Sequence, residues 1–135
     1  MLDSELFVFR TLKPGVDGHA TCISNWFISA YSNNPILRLT QHLLYEYWKE
    51  NNMVIDYYIF HDFFQLATEA YPEEWERVIP HDNSTSHVLL LRMFEKYNDA
   101  VWKAIQNQVV FHKLTYKFED SQIKIPNTFY RRIFE

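Results

Sequence analysis

The chain has 135 residues, of which 47% are hydrophobic and 18% aromatic, and a formal net charge of −4. This length and composition favour one globular domain with a real core. A protein with a negative net charge has no general electrostatic attraction to the phosphates of nucleic acids, so we expect no nucleic-acid partner. A single cysteine, Cys22, excludes an internal disulfide and suits a reducing compartment.

The sequence predicts neither a membrane span nor a signal peptide. No run approaches the roughly 18 apolar residues that a spanning helix needs. The first residues, "MLDSELFVFR", are acidic and lack the basic start of a secretory signal. We therefore predict a cytoplasmic protein without a transmembrane segment, either free or peripheral at the inner membrane.

Two strands are predicted first along the chain. Residues 5–12, "ELFVFRTL", are rich in Phe and Val, and residues 21–31, "TCISNWFISAY", are dense in β-branched and aromatic side chains. Between them, "KPGVDGHA" at 13–20 contains one Pro and two Gly and predicts a loop.

A block of helices is predicted next. Asn34 can cap a helix that has Pro35 at its first position and ends at "KENN", residues 49–52. A second helix is predicted from about Val54 to Ala70, followed by a short acidic turn, "PEEWERV". A third helix should start near Ser86, and a fourth is predicted in "NDAVWKAIQN", capped by Asn98 or Asp99.

The last part of the chain is predicted to contain one more extended segment. "VVFHKLTYKF", at 109–118, alternates like a strand, and the tail "SQIKIPNTFYRRIFE" has Pro126 as a breaker before an aromatic and basic end. This order gives no repeated βαβ units. We expect an α/β fold with few strands, in which the two early strands form the exposed edge of a larger sheet.

Asp56 is a candidate catalytic acid. In a helix starting near Val54 it falls within the apolar stripe, where an ionised carboxylate is costly unless it is paired or faces a cavity. Alternatively it lies in the first helical turn, where free backbone N–H groups favour an anion. Position alone leaves both interpretations open.

Two histidines are weaker candidates. His61 is predicted on the side of the second helix opposite the apolar stripe, where a histidine is more often a surface or packing residue than a catalyst. His87 follows "NSTS" at a predicted helix head, where N–H groups attract anions but a simple polar helix start is the more common explanation.

His112 and Lys113 are adjacent side chains that suit adjacent ligands. A neutral imidazole donates to a divalent metal, and an ammonium pairs with phosphate oxygen as a point charge. One histidine does not make a metal site, because magnesium-like and manganese-like ions also want carboxylates. The sequence has no D-x-D or E-x-D pair, no G-x-S-x-G elbow and no glycine-rich phosphate loop.

Five segments together carry a family resemblance: "ISNWFISAYSNNPIL", "LLYEYWKENN", "IDYYIFHDFF", "TSHVLL" and "FHKLTYKF". In order and spacing they resemble the capsular polysaccharide synthesis family of glycosyltransferases, related to the initiating α-mannosyltransferases, from about Ser4 to Phe118. The resemblance implies a GT-A-like fold that transfers a sugar from a nucleotide-sugar donor to a growing surface polysaccharide. A D-x-D motif of that fold holds a divalent metal, usually manganese, on the donor diphosphate.

The resemblance also implies roles for single residues. By similarity, His112 would be a late metal ligand and Lys113 a diphosphate contact. Asp56 would face the transferred sugar or the acceptor hydroxyl. The substrate cleft would also contain three residues with no more specific role, namely Asn25, His61 and His87.

The chain departs from the family in lacking the D-x-D motif. In the family this motif and the nucleotide-binding strands lie upstream of the segment that begins here, so residues 1–118 resemble the C-terminal half of the domain and residues 119–135 a tail. The missing N-terminal half is then a partner, and we expect the chain alone to transfer sugar very weakly or not at all. The alternatives are a non-catalytic binding module derived from the family and, less consistent with the early strands, an unrelated helical partner-binding protein.

Overall fold

A computed structural model describes residues 5–10 and 23–135 of the chain. The chain divides into two compact units, Met1–Asp82 and Asn83–Glu135. The predicted loop at 13–20 and Cys22 lie outside the described residues.

The first unit begins with a two-stranded antiparallel sheet. Strand β1 is Leu6–Arg10 and strand β2 is Ile23–Ala30, so both predicted strands are confirmed where they are described. The register runs from Leu6 opposite Ala30 to Arg10 opposite Ile23, with an irregularity after Val8. Four successive β1 residues are buried, which is why this strand reads as a continuous apolar run rather than as an alternation.

Helix α1, Pro35–Glu50, confirms the predicted cap. The Asn34 side chain accepts a hydrogen bond from the backbone N–H of Leu37 at 3.2 Å, and Pro35 holds the first helical position. Both features are encoded within four residues, because Asn satisfies a free N–H of the first turn and Pro needs no N–H there.

Helix α2, Ile59–Ala70, begins later than predicted. The Asp56 carboxylate accepts from the N–H of Tyr58 at 2.5 Å, and its backbone oxygen accepts from Ile59. This side-chain turn competes with helix formation, so the expectation of a helix from Val54, with Asp56 on its apolar stripe, is wrong. The segment predicted as an acidic turn forms a short helix, α3, Pro72–Glu76.

The core of the first unit lies between the sheet and helices α1 and α2. Val8, Ile36 and Phe64 are fully buried in it. Arg10, at the end of β1, donates to the backbone oxygens of Trp75 and Val78 and lies 4.2 Å from the Trp75 ring centroid. This arginine therefore connects β1 to the α3 segment within the unit.

The second unit is helical where it is described. Its helices are α4, Ser84–Arg92; α5, Asp99–Gln108; α6, Asp120–Ile123; and α7, Phe129–Phe134. Helix α4 starts two residues before the predicted Ser86, and Asn98 caps α5 as predicted by accepting from Val101 N–H. Helices α6 and α7 were not predicted. The buried core of this unit contains Leu89, Ile105 and Phe129.

The strand predicted at 109–118 is absent, and these residues form an irregular segment. A strand needs a partner for its ladder, and the described part of the second unit offers only one isolated bridge, between Lys96 and Thr128. Apolar side chains of the segment are accordingly exposed, including Val110 and Tyr116. Two strands and seven helices in the described residues make a mixed architecture compatible with the α/β class; the GT-A-like fold stays a prediction.

Candidate functional site

The candidate residues divide between the two units. Asn25, Asp56 and His61 belong to the first unit, and His87, His112 and Lys113 belong to the second. Asn25 lies on β2 with its side chain exposed.

Asp56 is a half-buried residue in the turn that precedes α2. One of its oxygens, Oδ1, accepts from the Tyr58 N–H. This places the carboxylate next to the start of the helix and outside its helical face. A carboxylate can accept several hydrogen bonds, and the turn uses Oδ1 for one of them.

His61 is buried in the first turn of α2, which contradicts its predicted position away from the apolar side. It shares the buried face of the helix with Phe64 and Ala67, and its ring packs edge-on against Tyr58 and Phe60 with centroids 5.4 and 5.9 Å away. Its Nδ1 atom has no hydrogen-bond partner among the described residues. Burial lowers the pKa of His61, partly opposed by the charge of Asp62, so the ring is neutral at pH 7.

His87 lies in the first half of α4 and is held by the turn before it. Its Nδ1 is 2.7 Å from the backbone oxygen of Asn83. A carbonyl oxygen only accepts, so Nδ1 donates and, in the neutral ring, the lone pair is on Nε2. This fixed tautomer is the one in which Nε2 can accept a proton or bind a cation.

His112 and Lys113 lie beside the start of α4. The backbone N–H of Lys113 donates to the carbonyl oxygen of Ser86 at 2.9 Å, so the segment holding this pair runs next to the residue that precedes His87. The Nδ1 atom of His112 is buried and has no hydrogen-bond partner in the described chain. Burial lowers the pKa of His112, which keeps its ring neutral at pH 7.

Ser86 is a residue that sequence reasoning placed only as a helix start. Its side chain is fully buried, and its Oγ has no hydrogen-bond partner in the parts of the chain that are described. Buried hydroxyls are normally hydrogen-bonded, which makes Ser86 the exception in this unit. The only sequence signal was its place in "TSHVLL", since the contact with Lys113 joins segments far apart in the chain.

The residues present do not form a manganese site by themselves. Within the described ranges, no group of three or more His, Cys, Asp or Glu side chains could hold a metal ion. Manganese prefers carboxylate and other oxygen ligands, and the His112–Lys113 segment supplies one imidazole and one ammonium. We assign no step of any reaction to a metal.

A helix that crosses a membrane must be long and apolar. Among the described residues, no helix combines the length and the apolar character needed to cross a membrane.

A family of known proteins matches nearly the whole chain. The model of a family described as "Capsular polysaccharide synthesis protein" matches residues 1–133. No curated protein and no solved structure matches the chain.

Proposed function

Because the chain belongs to the capsular polysaccharide synthesis protein family, we propose that it is the C-terminal part of a glycosyltransferase. The family places the protein in capsule biosynthesis. The proposed reaction moves a sugar from a nucleotide-sugar donor to a growing surface polysaccharide. The bond from the anomeric carbon to the diphosphate oxygen breaks, a bond to the acceptor oxygen forms, and the hydroxyl proton passes to a base.

One observation in the second unit carries the donor side of the proposal. The hydrogen bond from Lys113 N–H to the Ser86 oxygen sets the Lys113 segment beside the first turn of α4. The lysine ammonium pairs with phosphate oxygen as a point charge. We assign Lys113 to the diphosphate, where it stabilises the negative charge that the leaving nucleotide gains as the bond breaks.

The other proposed roles are less specific. His112 is proposed to bind the divalent ion, whose carboxylate ligands would lie outside the described residues. His87, with its lone pair fixed on Nε2, is proposed as a substrate contact. In the first unit, Asp56 is proposed to face the sugar or acceptor hydroxyl, because a carboxylate can accept the proton that the hydroxyl loses. Asn25 and His61 stay predicted substrate contacts, although the buried position of His61 favours packing.

Nucleotide binding to the whole chain tests the donor side. Amide ¹H–¹⁵N NMR spectra would be recorded with millimolar UDP or GDP, with Mg²⁺ replacing paramagnetic Mn²⁺. We expect shifts at Ser86, His87, His112 and Lys113. Lys113→Gln should weaken binding about tenfold, since a charge-assisted hydrogen bond is lost.

Lys117→Gln is the matched control, since it removes the same charge from the same segment at an exposed position. It should leave the affinity unchanged. The proposal is overturned if neither nucleotide shifts these amides, or if both lysine variants weaken binding equally.

The non-catalytic module is the second candidate function. The observation that favours it is the lack of a D-x-D motif in the 135 residues. A module of this kind would bind no nucleotide diphosphate in the NMR titration. Conversely, transfer by the purified chain alone at ordinary enzyme rates would contradict the assignment of a C-terminal part.

A further inference from the structure

An open cleft of about 630 Å³ runs along helix α1 in the first unit. This volume is within the range of roughly 300–1,000 Å³ that small-molecule sites occupy. None of the residues predicted as site residues lines it. Its lining comes from the end of β2, the following turn, one face of α1 and a ring of α2, with Ile28, Leu37 and Phe60 as apolar parts and Tyr31, Asn33, Arg38, Gln41 and Tyr45 among the polar ones.

Arg38 is the cation of this cleft. It lies in the first turn of α1 and is exposed. Its guanidinium makes no ion pair or hydrogen bond with the described residues, whereas Arg77 and Arg92 each pair with a glutamate. Among the described residues, no Asp or Glu lines the cleft, although the chain as a whole carries 17 acids against 13 bases. The cleft therefore offers a positive charge to a ligand.

The remaining polar groups suit hydroxyl groups. Gln41 donates from Nε2 to the Tyr45 hydroxyl at 3.1 Å, which orients both side chains and leaves the Gln41 amide oxygen as an acceptor. Asn33 adopts a left-handed conformation with φ of 68°, which asparagine tolerates better than most residues. Its amide supplies a donor and an acceptor at the turn between β2 and α1.

Two tyrosine rings add apolar surface at the cleft. Tyr31 and Tyr45 are 56% and 59% exposed, so their rings are accessible to a ligand. A tyrosine offers an apolar ring and a polar tip together, as does a sugar ring with its C–H faces and hydroxyl groups.

We propose that this cleft binds a carbohydrate chain that carries carboxylate groups, with Arg38 pairing with the carboxylate and Tyr31 and Tyr45 contacting the sugar rings. The carbohydrate class rests on the proposed function, and the carboxylate rests on Arg38. A guanidinium matches a carboxylate through two parallel hydrogen bonds. One guanidinium balances the single charge of a carboxylate, whereas a phosphate monoester carries nearly two.

A titration of the whole chain tests this site without any nucleotide. The probes are a galacturonic acid tetrasaccharide and its methyl ester, which lacks the carboxylate charges and carries one added methyl group on each unit. Binding is followed by ¹H–¹⁵N NMR. We expect shifts within residues 28–45 for the acid, and an affinity about tenfold lower for the ester.

Two variants separate Arg38 from general electrostatics. Arg38→Gln should lower the affinity for the acid about tenfold and leave that for the ester unchanged. Lys49→Gln removes one positive charge from the same helix outside the cleft and should leave both affinities unchanged. Unchanged circular dichroism confirms that each variant is folded.

Three results would overturn the proposal: equal affinities for acid and ester, equal effects of the two variants, or displacement of the tetrasaccharide by inorganic phosphate at the same concentration. The last would identify a simple anion site. Failure here leaves the nucleotide titration at Lys113 unaffected, because no donor is present and the two experiments report on different units.

Discussion

His61 in α2 and His112 beside α4 each have a buried ring nitrogen, Nδ1. Neither nitrogen has a hydrogen-bond partner among the described residues. In both, burial disfavours the charged ring and lowers the pKa. An unpaired buried polar atom also costs stability compared with an apolar atom of the same shape. These residues therefore make folding depend on pH whether or not they touch a substrate.

We predict that acid destabilises the fold through His61. Its folded pKa lies below its unfolded value, so the unfolded chain binds more protons as the pH falls through the unfolded pKa of about 6.5. The contribution of the neutral ring is fully present above that pH and is lost below it. His61→Phe should raise the free energy of unfolding at pH 7.5 by about 1 kcal/mol, and by more at pH 5.5, as measured by urea denaturation.

His42→Phe is the control for this experiment, since His42 is exposed on α1 with 70% of its side chain accessible. Its contact with Glu46 is at 4.0 Å, and it should change the pH dependence of unfolding far less than His61→Phe does. Parallel curves of stability against pH for His61→Phe and the original chain would show that His61 does not take part in this linkage.

At the scale of elements, the start of α2 depends on one carboxylate. Asp56 stops the chain from entering the helix early by bonding the Tyr58 N–H, and Ile59 then begins α2. Asp56 therefore has a structural role at the start of α2, and this role is compatible with a catalytic one. Substitutions that keep or remove the hydrogen-bond acceptor separate the two.

We predict that Asp56→Ala lowers the free energy of unfolding by about 1 kcal/mol, because the turn hydrogen bond is lost. Asp56→Asn keeps an acceptor oxygen and should stay within about 0.5 kcal/mol of the original chain. Urea denaturation at pH 7 measures both, with Asn52→Ala in the same loop as a neutral control. A loss as large for Asn as for Ala would contradict the turn role and favour a need for the charge itself.

Secondary-structure elements that depend on residues close together in the sequence could be predicted. Elements that depend on contacts between distant residues could not. Helices α1 and α5 follow from Asn34 and Asn98, whose caps lie within four residues of the groups they satisfy. The prediction of a strand at 109–118 was wrong because an alternating pattern does not show whether a neighbouring strand is present to pair with it. The sequence could not predict the contact of Lys113 with Ser86 or the cleft around Arg38 for the same reason. Both depend on residues that only the folded chain brings together.

At the scale of the whole molecule, the buried side chains of the described residues include two core clusters, one in each unit. One contains Phe64 with residues of β1, α1 and α2, and the other contains Phe129 with residues of α4 and α5. The two cores share no residue. Phe129 also lies 5.4 and 6.3 Å from the rings of Tyr97 and Trp102, so the second core is built largely around one aromatic side chain.

We predict that Phe129→Ala loosens the second unit first. Truncating a buried Phe costs about 3–5 kcal/mol, and the described hydrophobic residues that form a core cluster with Phe129 lie within residues 83–135. Hydrogen exchange of the whole chain, followed by mass spectrometry of its peptides, should show reduced protection in α4 and α5 and retained protection in β1, α1 and α2. Phe64→Ala should show the reverse pattern.

Phe134→Ala is the matched control, since the same side chain at 56% exposure packs too little to lower protection in either unit. Because local opening follows the stability of the cooperative unit that contains the amide, the pattern of protection reports directly on where cooperativity ends. If Phe129→Ala and Phe64→Ala lowered protection equally across all helices, the chain would unfold as one cooperative unit despite its two cores. A substrate bound in one unit would then stabilise the other by mass action, and ligand-induced protection would spread over the whole chain.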